Sequence, residues 1–199
     1  MSEQKTLHVQ PRLKVEYQQA YVSEMTKELK LANLHQAPLL EKIVISSGIG
    51  KNKDDKRFHE AVINTLTKIT GQKPVDRMAR KSIASFKIRA GMNRIGVSVS
   101  LRGARMYEFL DRFVNIALPR VRDFHGISPK SFDKSGNYSI GIRDQSIFPE
   151  LNFEDTTTTH GLEITFVIRA GSPEQSRALL EKFGFPFEKP ANNPQKGDT

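Results

Sequence analysis

The chain has 199 residues, 37% hydrophobic and 27% charged, with a formal net charge of +9, which suits one folded domain with a basic surface. It contains no cysteine, which excludes disulfides, Cys-ligated zinc, iron–sulfur clusters and thiol catalysis and makes an oxidising compartment unnecessary. Residues 1–10 carry no apolar leader core, and no stretch approaches the ~20 apolar residues that cross a bilayer, so a cytoplasmic protein without a membrane partner is expected.

Residues 1–10 are polar and expected to be flexible. Leu13, Tyr17, Ala20, Tyr21 and Met25 recur at helical spacing and predict a helix over residues 11–34. Glu41 through Ser47, centred on β-branched Ile43, Val44 and Ile45, reads as a strand, and Gly48-Ile49-Gly50 turns the chain. A second helix over residues 54–70 places Phe58, Ala61, Val62, Thr65, Leu66 and Ile69 on one stripe, with Gly71 as its C′ residue. Ile83, Phe86 and Ile88 read as a broken strand, and Val97, Val99 and Leu101 alternate with Ser98, Ser100 and Arg102 as a half-buried one.

A third helix, residues 104–118, buries Met106, Phe109, Leu110, Phe113, Ile116 and Ala117, and Pro119 is expected to end it by displacing Leu118 from helical conformation. Residues 120–137 read as loop. Tyr138, Ile140 and Ile142 alternate as a short strand, residues 145–159 read as irregular and acidic, and Leu162, Ile164, Phe166 and Ile168 alternate as a strong strand. The last helix starts with Ser172 as N-cap, Pro173 at N1 and Gln175 completing a capping box, and stops at Gly184. Strands that alternate rather than run solidly apolar predict an α+β domain: a largely antiparallel sheet, helices packed on one face, and the other face with its loops exposed and open for binding. The predicted domain covers residues 11–187, followed by a disordered tail at 188–199.

Charge is concentrated in one window. Residues 73–105 hold Lys73, Arg77, Arg80, Lys81, Lys87, Arg89, Arg94, Arg102 and Arg105 against the single acid Asp76, a balance of +8 in a chain of +9. A like-charged cluster repels itself, and nucleic-acid phosphate relieves that repulsion. Neighbouring Ser82, Ser85, Ser98 and Ser100 offer hydroxyls to phosphate, and Phe86 offers a ring to an unpaired base. A solvated basic face is the bland alternative, and charge density weighs against it.

Catalytic chemistry finds no support. Gly48-Ile49-Gly50 lies between strand and helix, but Lys53 stands where a dinucleotide-binding loop needs its third glycine, and the phosphate-loop Gly-Lys-Ser/Thr is missing. A nucleotide-dependent enzyme is therefore the weaker hypothesis, and a tight turn allowing close backbone approach is the stronger. No two of His8, His35, His59, His125 and His160 have metal-ligand spacing. Asp144, Glu150, Glu154 and Asp155 form the nearest carboxylate cluster, without a partner base, and read as solvated loop. No enzyme activity, metal or cofactor is expected.

Six blocks carry a specific resemblance: ITGQKP (69–74), RKSIASFKIR (80–89), VSLRGARMYEFLDRFVNIALPRVRDFHGISPKSFD (99–133), GNYSIGIRDQSIFPEL (136–151), GLEITF (161–166) and RALLEKFGFPF (177–187). In order and spacing they resemble the bacterial form of large-subunit ribosomal protein five, over residues 13–187. The resemblance implies a structural ribosomal protein that binds 5S rRNA in the central protuberance, touches the P-site tRNA and bridges to small-subunit protein thirteen. It also implies 23S rRNA and neighbouring large-subunit proteins as partners. It assigns 5S contacts to Ser46, Ser47, Gly48, Gly50, Gln72, Lys73, Lys81 and Ser82. It assigns tRNA contacts to the loop at 78–93, with Arg80, Ser85, Phe86, Lys87 and Arg89, and to Arg94. The bridge falls in residues 120–144. The chain departs from the family pattern at three places. Ser46-Ser47 stands where Asn-Met is usual, the segment at 91–95 is one residue longer and lacks a proline, and Ala104 replaces a common Glu.

Overall fold

The computed structural model describes residues 10–52 and 55–188. In chain order it runs through α1 (Arg12–Glu16), a wide π turn (Tyr17–Tyr21), α2 (Val22–Glu28), β1 (Leu39–Gly48), α3 (Lys56–Thr70), β2 (Val75–Met78), β3 (Arg94–Leu101), α4 (Gly103–Arg112), β4 (Tyr138–Ile142), α5 (Phe153–Thr156), β5 (Leu162–Arg169) and α6 (Pro173–Lys182). The ends expected to be flexible, 1–10 and 188–199, lie outside the described residues except for Gln10 and Glu188.

The strands form one sheet in the order β2-β3-β1-β5-β4, and every pairing is antiparallel. This is the α+β architecture that the alternating strands predict. The two-residue period decides the faces. Ile43 and Ile45 of β1 register with Leu101 and Val99 of β3, and with Phe166 and Ile164 of β5. All six are buried. They belong to a cluster that also takes in Leu13, Met25, Leu66, Phe113 and Leu180 from the helical segments. Burying each such side chain contributes about 1.5–3 kcal/mol relative to exposure, so the sheet and its helical cover stabilise each other.

Local signals explain α3 well. The Asp55 carboxylate accepts from the amides of Arg57 (2.9 Å) and Phe58 (3.3 Å), and Gly71 closes the helix at φ +64, a conformation that favours glycine. Other elements differ from their sequence patterns. The first helical segment stops at Glu28 rather than 34. Lys30 turns left-handed at φ 49, and the Leu31 amide reaches back to the Thr26 carbonyl at 3.0 Å. Helix-favouring residues 31–32 are overruled because the chain must swing back into β1.

Pro119 does not displace its neighbour. Leu118 stays helical at φ −58 and ψ −45, and α4 runs on through a π turn (Phe113–Ala117) into a 3-10 turn (Leu118–Arg120). A proline in the first residues of a 3-10 turn forgoes no needed amide bond. Ile116, expected in the core, is 44% exposed, because the π turn departs from the 3.6-residue period on which that expectation rests. At α6, Ser172 accepts from the Gln175 amide (3.4 Å), but the Gln175 side chain accepts from Gly171 (2.8 Å) rather than from Ser172, displacing the box by one residue. The acidic loop is not merely solvated either. Lys68 of α3 donates to both Asp155 oxygens at 2.7 Å, and Arg112 of α4 pairs with Glu150 at 3.3 Å.

Candidate nucleic-acid interface

The sheet face opposite the core is built from small polar side chains. Alternation places Val44 and Ser46 of β1 there, paired with Ser100 and Ser98 of β3 and with Thr165 and Glu163 of β5. Ser139 of β4 stands opposite Thr165, their hydroxyls 3.0 Å apart. Gln72 arrives from the end of α3 and donates to the Ser100 carbonyl at 3.3 Å, and Arg77 of β2 donates to the Ser98 hydroxyl at 2.6 Å. Short side chains leave the backbone of this face close to its surface, and their hydroxyls both donate and accept. Sequence reasoning misses Arg77, Thr165 and Ser139 as site residues. The two-residue alternation of their strands is the signal that could find them.

At one end of this face the backbone is bare. Gly48 of β1 pairs with Gly96 of β3, and the Ile49 amide donates to the Ile95 carbonyl at 3.0 Å. The two glycines do different work. A Cβ on Gly48 would meet no atom within 4 Å, whereas one on Gly96 would stand 3.0 Å from the Ser47 carbonyl oxygen. Gly96→Ala is therefore expected to destabilise the fold by about 1–3 kcal/mol, as overpacking against backbone does. Gly48→Ala should leave stability within about 0.5 kcal/mol. Urea denaturation of the two variants checks the contrast, and equal losses would contradict it.

The nine basic side chains of residues 73–105 are all exposed. Asp76, the one acid among them, accepts from His59 at 2.8 Å and from Arg94 at 3.1 Å. It thereby ties β2 to α3 and holds Arg94 to the sheet. The loop between β2 and β3 has its own framework. Ile83 and Ile88 exchange backbone hydrogen bonds at 2.9 and 3.1 Å around a 3-10 turn (Ala84–Phe86), and Lys87 takes φ 51. Below this tip, the Ala79 amide donates to the Asn93 carbonyl, the Gly91 amide to the Ala79 carbonyl, and the Arg89 amide to the Asn93 side chain at 2.7 Å. The β2–β3 register shifts where Met78 faces Arg94, skipping Ile95. A bulge thus absorbs one residue, Ile95, at the end of β2.

The residues assigned from the resemblance fall into distinct places. Ser46 lies on the open face. Ser47 points the other way: its hydroxyl donates to the Gly161 carbonyl at 2.8 Å and is buried. Gln72 borders the open face, while Lys73 and Lys81 stand beyond opposite ends of the short strand β2. The Ser82 oxygen accepts from the Ala90 amide at 3.0 Å, leaving its proton to donate elsewhere. Arg80, Ser85, Lys87 and Arg89 project from the loop, and Phe86 is 66% exposed at its tip.

Gly48, Gly50 and Phe86 meet at one cleft of about 880 Å³, with Phe58, Ile88 and His160. Sequence reasoning misses His160 as a site residue, because a lone histidine in a loop carries no sequence signal. Its burial lowers the imidazole pKa below the usual histidine value.

Comparisons with known proteins identify the family of this chain. Residues 33–89 match the family model described as ribosomal protein L5, and residues 94–187 match the model of that ribosomal family's C-terminus. The chain is 53% identical over 176 residues to the large ribosomal subunit protein uL5 of Anaeromyxobacter sp. (strain K), covering 88% of this chain and 97% of that one. It is 50% identical over 176 residues to that of Synechococcus sp. (strain JA-2-3B'a(2-13)), with the same coverage. It is 49% identical over 179 residues to that of Carboxydothermus hydrogenoformans, covering 90% and 99%. Two family models that meet at the β2–β3 loop, and relatives matched along nearly their whole length, place the chain in the ribosomal protein L5 family, a family of structural proteins rather than enzymes.

Proposed function

We propose that this family member, a structural constituent of the large ribosomal subunit in the bacterial cytoplasm, binds 5S rRNA in the central protuberance and reaches the P-site tRNA with its β2–β3 loop. One observation carries the reading: exposed cations on β2, on the β2–β3 loop and at the start of β3 stand next to a sheet face that carries hydroxyls and has a bare glycine edge. Phosphates neutralise the cations, and folded RNA is recognised by shape and by 2′-hydroxyl contacts to small polar groups. Ser46, Gly48, Gly50, Gln72, Lys73, Lys81 and Ser82 serve 5S rRNA, and Ser47 serves it indirectly by fixing the strand end. Arg80, Ser85, Phe86, Lys87, Arg89 and Arg94 serve the tRNA side. Residues 120–144, which border a groove of about 1020 Å³ beside edge strand β4, face small-subunit protein thirteen, with 23S rRNA and neighbouring large-subunit proteins completing the surroundings.

A gel-shift titration tests this. The protein should retard a 5S rRNA transcript at concentrations that leave an unrelated hairpin of equal length free, and Lys81→Glu should weaken the shift by about tenfold, the order of one lost phosphate contact. Equal retardation of both RNAs would overturn specific recognition.

A further inference from the structure

We propose that the cleft between the end of β1 and the tip of the β2–β3 loop is a receptor for one unpaired RNA base, stacked on Phe86 with its edge toward His160. The inference rests on the RNA-binding reading and adds a discrete pocket to it. Four separate segments build the cleft: the Gly48–Asn52 turn, α3 through Phe58, the loop tip through Phe86 and Ile88, and the approach to β5 through His160. Its volume of about 880 Å³ lies within the ~300–1,000 Å³ range of small-molecule sites, and no carboxylate lines it among the described residues.

Three observations point to an occupant. Gly48 and Gly50 have no left-handed backbone, and a methyl group at either would meet no atom of the described residues within 4 Å, so neither the local conformation nor packing among the described residues requires glycine there. Glycine in such a place weakens the local structure, and the room it leaves is needed by something outside the chain. The imidazole of His160 is 4% exposed, and its Nε2 has no hydrogen-bond partner among the described residues. Its Nδ1 lies 3.2 Å from the Thr158 carbonyl. That contact requires the proton on Nδ1, which leaves Nε2 a buried, unsatisfied acceptor in a residue of the cleft wall. The Phe86 ring is held in solvent at 66% exposure, where a base can cover it, since base–aromatic stacking tolerates any base. Lys87 and Arg89 flank the ring in sequence and suit the phosphate of the same nucleotide.

The cleft joins residues that the resemblance divides between two RNAs, so the base belongs either to 5S rRNA or to tRNA. The test is a double-mutant cycle with Phe86→Ala and Gly50→Ala. Dissociation constants are measured for a 5S rRNA transcript on the free full-length protein and for P-site tRNA on large subunits carrying each variant. Each single change should weaken one of the two RNAs about tenfold, by removing or crowding the stack. The double variant should be no weaker than about tenfold, because both changes expel the same base. The RNA that weakens identifies the source. Wild-type affinity for both RNAs in either single variant, or losses that multiply to about a hundredfold, would overturn the cleft. Absence of RNA binding by the unaltered protein would instead defeat the proposed function itself.

Discussion

Replacing Lys73 and Lys81 together with Glu is expected to weaken 5S rRNA binding by about 10²-fold near 0.1 M salt. Each phosphate contact contributes roughly 0.7–0.9 to the slope of log K against log salt, so two lost contacts should also flatten that slope by about 1.5–2. Both side chains are exposed and neither has an ion-pair partner among the described residues. Arg94 is left intact because Asp76 holds it to the sheet. Exposed substitutions of this kind change stability by about 0.5 kcal/mol or less, so a loss of binding with an unchanged denaturation midpoint isolates the electrostatic contribution. Filter binding at several salt concentrations reads both quantities. An unchanged slope would mean that these cations do not meet phosphate.

Phe166→Ala should cost about 3–5 kcal/mol of folding stability. The ring is fully buried at the centre of β5, with centroids 5.1 Å from Phe185, 5.8 Å from Phe113 and 6.4 Å from Tyr138. Its backbone neighbours are Ile43 on β1 and Tyr138 on β4, so a cavity there loosens the sheet and its helical cover at once. A domain with a typical stability of about 5–15 kcal/mol loses a large part of it. Phe153→Ala is the matching control. That ring is 86% exposed, and its removal should change stability by about 0.5 kcal/mol or less. Urea titrations of both variants decide the matter, and a Phe166→Ala loss below about 1 kcal/mol would show that the aromatic cluster does not hold the fold together.

Much of this is legible in the residues. The alternation of 97–101 and 162–168 announces two strands and their buried faces, because a side-chain period of two maps directly onto two sides of a sheet. Asp55 and Gly71 mark the ends of α3 through side-chain and backbone chemistry that needs no distant partner. Helix interiors with a long-range reason to bend are not legible. The stop at Glu28 and the π turn that exposes Ile116 follow from where the chain must go next and what it packs against.

The interface divides the same way. The basic window is visible because charge is a property of residue type and survives any fold, and the family blocks name its ligands. Sequence cannot tell that the Ser47 hydroxyl is taken up by the Gly161 carbonyl of a distant segment while Ser46 stays on the open face. Nor can it tell that Asp76 restrains Arg94, or that Gly48, Gly50, Phe86 and His160 meet in one cleft.

The sequence by itself determined the sign and density of charge at residues 73–105, the antiparallel character of the strands and the family to which the chain belongs. Only the tertiary structure decided which hydroxyls remain available and which separate segments share a pocket. Charge and two-residue alternation are local properties of the chain. A cleft arises when segments as far apart as Gly50 and His160 are held side by side, and sheet pairings with core burial alone accomplish that.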